Sequence, residues 1–142
     1  MTDDLIRLPD WRGRFEAVFD DIMTKPFAWQ THDCGPGLAG RTVYALTGVD
    51  LSAQYAADYH DLASAVRLIR SLGFKTLGEL AGSMLPQVHP SQARLGDIAA
   101  IEVRSPLGHA LGVVNGERIY VLTETGVGTR DLLDAAMCFK VG

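Results

Sequence analysis

A change of hydrophobic rhythm partway along the chain constrains its fold more than any other feature. Up to Met84 the apolar residues recur at helical spacing, whereas from Ile98 onward they form short β-branched or aromatic runs bounded by glycines. Trp11, Phe15, Val18, Phe19, Ile22 and Met23 occupy one face of a 3.6-residue repeat, opened by Pro9 and stopped by Lys25-Pro26. Leu62, Ala65, Val66, Leu68, Ile69 and Leu72 repeat that spacing between Asp58 and Gly73, and Gly73 stands where a left-handed terminator belongs. Thr76-Leu77-Gly78-Glu79 has the spacing of a capping box and predicts a short helix through Met84. Pro86 and Pro90 bracket a loop. Strands are expected around Ile98 to Val103, Leu111 to Val114 and Ile119 to Val121, with one or two more from Val127 to Thr129 and Met137 to Val141. Helices placed ahead of strands define an α+β fold with a small antiparallel C-terminal sheet. No repeat, linker or low-complexity segment interrupts the chain, and 142 residues at 47% hydrophobic suffice for one core, so a single domain over residues 1–142 is expected.

Asn115-Gly116 between two apolar runs is a strong hairpin signal. As a two-residue loop it pairs Val114 with Glu117 and sets His109 opposite Leu122, with Tyr120 and Glu124 diagonal to the imidazole on one face.

Charge and cysteine usage narrow the function classes. Lys and Arg number 13 against 17 Asp and Glu, and no basic cluster exists to track a phosphate backbone, which argues against nucleic-acid binding. No apolar run approaches the roughly 20 residues of a membrane span, and the acidic start Met1-Thr2-Asp3-Asp4 is unlike a secretory signal, so synthesis in the cytoplasm is expected. Two cysteines with no C-x-x-C or H-E-x-x-H spacing predict neither a disulfide framework nor a metal site, and no cofactor motif is present.

Cys34 is the cysteine in an unusual setting. The turn-rich stretch from Phe27 to Gly37 leads into Leu38, Ala39, Val43, Ala45 and Leu46, which predict a second helix ending at Gly48, with Cys34 in its first turn, Asp33 as cap and Pro36 where proline is tolerated. An ordinary thiol, with a pKa near ~8.5, is only slightly ionised at neutral pH; a helix N-terminus and an imidazole both favour the thiolate. His109, opening a strand in Gly108-His109-Ala110-Leu111-Gly112-Val113, is the expected imidazole, and its small neighbours leave room for a close approach by backbone or substrate. Trp29 and Gln30 are placed to line a cleft and to donate to an oxyanion, and Trp29 equally suits a core anchor with its N–H satisfied. Cys138, between Met137 and Phe139, reads as core filler. His60 and His89 read as exposed loop residues, and His32-Asp33-Cys34 is too crowded along the chain for its side chains to converge on a metal.

Trp29 with Asp33-Cys34, then Leu95-Gly96-Asp97-Ile98, then Gly108-His109-Ala110-Leu111-Gly112-Val113-Val114-Asn115-Gly116, follow one another as the landmarks do in the NlpC-type branch of papain-like cysteine peptidases, which this chain resembles from Trp29 to Val141. Within that branch it is most similar to a small phage-protein family with a W-x-x-x-D-C start, a segment like Ala45-Leu46-Thr47-Gly48-Val49-Asp50 and an ending like Phe139-Lys140-Val141. The resemblance implies a papain-like fold, with Cys34 as nucleophile, His109 as general base and Gly96-Asp97 as a structural turn into the sheet. The implied substrate is a peptidoglycan stem peptide, and the implied setting is a phage tail, with other tail or hub proteins as partners. The branch supplies a polar residue, usually histidine, asparagine or glutamine, on the strand after the base; Tyr120 to Glu124 contains none of these, and Glu124 is the substitute on the expected register. That departure keeps open a catalytically silent structural subunit of a tail tip or assembly complex with the same fold, and an acyl or amide transferase using the same Cys/His pair.

Overall fold

The computed structural model of the chain describes residues 5–24, 38–51, 55, 58–123 and 126–142, with backbone alone at 123, 126 and 127. Helix α1 (Trp11–Met23) buries Phe15 and Ile22 as its apolar stripe predicts. Its expected stop at Lys25-Pro26 lies outside the described residues. A π-type turn at residues 38–40 leads into α2 (Arg41–Thr47), which ends at Gly48 with φ 77° and the Gly48 N–H donating to Tyr44 O at 2.8 Å. Only glycine takes that left-handed conformation without steric penalty. Inside α2 the buried hydroxyls of Thr42 and Thr47 donate to Leu38 O and Val43 O, at 2.8 and 2.7 Å, so no polar atom of theirs is stranded in the core. Arg14 of α1 donates to Ala45 O at 2.7 Å, and Asp21 pairs with Arg41, which locks α1 against α2.

Helix α3 (Leu62–Ser71) begins at a reciprocal cap: Asp61 accepts the Ser64 N–H at 2.8 Å while Ser64 Oγ accepts the Asp61 N–H at 3.1 Å. It terminates at Gly73 as expected, at φ 92°. Helix α4 (Leu77–Met84) is capped by Thr76, whose Oγ1 accepts the Glu79 N–H at 3.1 Å. The Glu79 carboxylate reaches back to the Lys75 N–H at 3.2 Å, one residue beyond the partner that the capping-box spacing predicts.

The strands are β1 (Gln87–Val88), β2 (Ile98–Glu102), β3 (His109–Asn115), β4 (Arg118–Thr123), β5 (Gly126–Asp131) and β6 (Met137–Phe139). They form one antiparallel sheet in the order β1-β6-β2-β3-β4-β5. Both late strands form, and the expected loop between Pro86 and Pro90 contains β1, which pairs with β6. Two residues are too short for an alternation signal, so pairing rather than pattern defines that strand.

The hairpin register differs from expectation by two residues. Asn115 pairs with Arg118, Val114 with Ile119 and Val113 with Tyr120, so Gly116-Glu117 forms the turn. Gly116, at φ 68°, takes the first central position, where glycine makes positive φ inexpensive, and Asn115 becomes the last ladder residue. One step beyond the last pair, Gly112 with Val121, Leu122 comes level with Leu111 rather than with His109.

Side chains alternate between two apolar clusters. Ile98, Ala100, Leu111, Val113, Leu122 and Phe139 face the helices and pack with Phe15, Leu38, Val43, Leu46 and Ala81. Ala99, Ile101, Val114, Ile119, Val121 and Cys138 form the opposite cluster. Over β4, Phe19 of α1 meets Tyr120 edge to face at 4.8 Å between ring centres. Gly96 enters β2 at φ 89°, and a Cβ there would lie 2.6 Å from Leu46 Cδ2.

Asp97, 1% exposed, accepts from Arg7 Nη2 at 2.9 Å, from the Arg94 N–H at 2.9 Å and from the Val141 N–H at 3.1 Å. Arg7 also donates to Leu95 O and Val141 O, at 2.8 and 2.7 Å. One buried ion pair thus fastens the segment before α1 and the segment after β6 to the start of β2. Burial pulls the Arg7 guanidinium below its usual pKa, and the Asp97 charge opposes that shift. Among the described residues no helix is long and apolar enough to cross a membrane.

Candidate active site

Of the five residues singled out for chemistry, His109 alone falls within the described residues; Cys34, Glu124, Trp29 and Gln30 lie outside them. His109 opens β3, an interior strand, directly after Gly108 at φ 75°. The turn is closed by the Gly108 N–H donating to Ser105 O at 2.9 Å and the Val103 N–H donating to Gly108 O at 3.2 Å. His109 shares the helix-facing side of β3 with Leu111 and Val113, because side chains two apart project from the same face.

The first turn of α4 covers this histidine. Leu77 N–H donates to Leu107 O at 2.9 Å, tying the helix start to the residue before Gly108. A Cβ on Gly78 would stand 2.8 Å from His109 Nδ1, 3.1 Å from His109 Cε1 and 2.4 Å from Met137 Cε. A Cβ on Gly108 would stand 2.6 Å from Thr76 Cγ2. The start of α4 and the turn into β3 therefore interlock at two glycines, Gly78 and Gly108.

His109 is half-buried, and its Nδ1 is buried with no hydrogen-bond partner among the described residues. On β2 the residue directly opposite is Glu102, which is exposed. Direct cross-strand neighbours share a face, so this carboxylate stands beside the imidazole on the helix-facing side. Sequence reading missed both Gly78 and Glu102. The capping box drew attention to Thr76 and Glu79 and away from the glycine between them, and the pairing of Glu102 with His109 depends on a loop length between β2 and β3 that no motif specifies.

The small neighbours of His109 admit close contacts from the chain itself. Thr76 fills the space beside Gly108, and a Cβ on Gly112 would meet Ile119 Cγ2 at 2.6 Å and Tyr120 O at 2.7 Å. The close approach by backbone expected there is the one that Tyr120 O makes at Gly112.

The other described histidines are differently placed. His60 is exposed, 3.6 Å from Asp61. His89 caps a 3₁₀ turn, its Nδ1 accepting the Ser91 N–H at 3.1 Å. Cys138 is fully buried, and burial, with the Asp97 charge adding to it, pushes its thiol up to about 11, which suits core packing and not nucleophilic attack. Gly96-Asp97 is a structural turn, its carboxylate spent on the Arg7 pair.

Fold and site together define an α+β domain in which N-terminal helices cover one face of an antiparallel sheet and one of them seats a half-buried histidine. The chain belongs to the family described as a domain of unknown function (DUF6950), whose profile matches residues 6–141. None of the curated proteins matches it.

Proposed function

We propose that the chain is a papain-like, NlpC-type cysteine peptidase of a phage tail that hydrolyses an amide bond in peptidoglycan stem peptides. In this reading His109 takes the proton of the Cys34 thiol, the thiolate attacks the carbonyl carbon, and the amine leaves with that proton. Water then attacks the thioester, giving up a proton to His109, and the acid is released with the thiol restored. Trp29 and Gln30 line the cleft, and Glu124 orients the imidazole. The observation that carries the proposal is the seat of His109: of the described histidines it alone lies on the helix-facing side of the sheet, half-buried, with a ring nitrogen not used by the fold. Leu38, four residues beyond Cys34 in sequence, is buried in the cluster that contains Leu111, two residues beyond His109.

The test is muropeptide hydrolysis by the purified protein and by Cys34→Ala and His109→Ala. Cleavage by the parent alone, with Cys34 alkylated faster than a free thiol, is the expected result. No cleavage, with alkylation at the free-thiol rate, refutes it.

One observation favours a second reading, a catalytically silent tail subunit: among the described residues none hydrogen-bonds His109 Nδ1. Phage carrying Cys34→Ala separate the two. Particles that assemble but fail at the cell wall indicate catalysis, and particles that infect normally indicate a structural part.

A further inference from the structure

We infer that Gly78 is a positioning residue for His109: the first turn of α4 holds the imidazole by shape on its Nδ1 side. The inference rests on the Cys34/His109 reading above and adds to it what holds the base. Three observations converge. The space a Gly78 side chain would need is occupied by the His109 ring on one side and by the end of Met137 on the other, with gaps of 2.8 and 2.4 Å to the place of a Cβ. The ring nitrogen on that side is buried with no hydrogen-bond partner among the described residues, so on this side packing sets the ring's angle. The seat itself is fixed to the strand, through Leu77 N–H to Leu107 O at 2.9 Å and through Thr76 lying in the space left by Gly108.

A methyl group at position 78 has two neighbours to displace. Met137 ends in a flexible thioether and can swing away; the imidazole is held at the backbone of β3 and has to rotate or tilt. A base displaced by a few tenths of an ångström is poorly aimed for proton transfer, and misplacement near 1 Å lowers rates by about 100-fold. Gly82, one turn further along α4, provides the matched control. A Cβ there would lie 3.4 Å from Phe139 Cε1 and does not approach His109.

The experiment compares the full chain with Gly78→Ala, Gly82→Ala and Met137→Ala. The rate of Cys34 alkylation by iodoacetamide is followed by peptide mass spectrometry from pH 5 to 9, alongside the His109 ring resonances and thermal unfolding. The expected result is an accelerated parent, a loss of about tenfold at pH 7 and a moved pH profile in Gly78→Ala, and a parent-like Gly82→Ala. Met137→Ala opens the same seat without adding an atom, so it is expected to lose part of the acceleration and keeps the test decisive if Gly78→Ala fails to fold. An accelerated parent whose rate, profile and ring resonances are unchanged by the substitutions at 78 and 137 overturns the positioning role and leaves the peptidase proposal standing. A parent no faster than free cysteine overturns both.

Discussion

Replacing Asp97 by alanine is the sharpest test of how this fold is held together. The carboxylate is 1% exposed and accepts three hydrogen bonds, one from Arg7 and two from backbone N–H groups. Its removal leaves a guanidinium whose side chain is 9% exposed with only carbonyl acceptors, and strands the N–H groups of Arg94 and Val141. Breaking a buried pair on one side destabilises by about 3–5 kcal/mol, since a charge remains buried without its partner. That is a large part of the about 5–15 kcal/mol that holds a typical domain. At about 3 °C per kcal/mol for a chain of this size, Tm should fall by about 10 °C or more. Urea and thermal unfolding of Asp97→Ala, Arg7→Met and the double variant would measure it. The double variant should be less destabilised than the sum of the singles, because removing both charges leaves neither uncompensated. A loss below about 1 kcal/mol, or an additive cycle, would refute the role assigned to the pair. A carboxylate this buried cannot reach a substrate, so any activity lost in Asp97→Ala should follow the unfolded fraction.

Three other perturbations have definite signs. The Cys138 thiol is raised in the fold to about 11, so its contribution to stability is complete below the unfolded value near ~8.5 and disappears as pH rises through about 11. Thermal unfolding of the parent should therefore fall more steeply than that of Cys138→Ala across that window, and parallel curves would contradict it. Gly48→Ala forces a side chain into φ 77° and should cost about 1–2 kcal/mol, whereas Gly13→Ala, in helix α1 with nothing near the added methyl, should gain about 0.5–1 kcal/mol; equal effects in urea would be inconsistent with the geometry. His109→Leu removes a buried nitrogen with no partner among the described residues and should raise stability by about 1 kcal/mol or more while abolishing the acceleration of Cys34 alkylation; a destabilised variant with unchanged alkylation would overturn both halves.

Much of the helical layer and the broad class could be read from spacing, because a stripe of apolar residues reports directly on the face a helix buries. Trp11 to Met23, the Gly48 and Gly73 termini and the Thr76 cap all follow local rules, and each is present. The hairpin turn was legible as a location but not as a register. Asparagine and glycine both suit a turn, and only the competition between ladder pairs decides which residues leave the ladder. The Arg7–Asp97 pair spans 90 residues, and no periodicity carries information over that separation. Within the candidate site, the position of His109 at a strand start was legible from the glycine before it, whereas the seat formed by Gly78 depends on how α4 lies across β3.

His109 is the point where the described core departs from local consistency. Elsewhere in the described core, polar groups are matched: the hydroxyls of Thr42 and Thr47 bond within α2, Ser64 completes a cap, and Asp97 meets three donors. Against that background a buried Nδ1 without a partner is a local loss of stability that leucine would avoid. A chain whose only requirement was to fold would gain by that exchange, and folded domains depart from local consistency chiefly at working sites. Gly78, which lets α4 close on the ring, carries a cost of the same kind, since glycine is a poor residue inside a helix. Two small penalties at one spot are intelligible if the imidazole itself is needed there, and the opposite signs expected for stability and thiol reactivity in His109→Leu follow from that need.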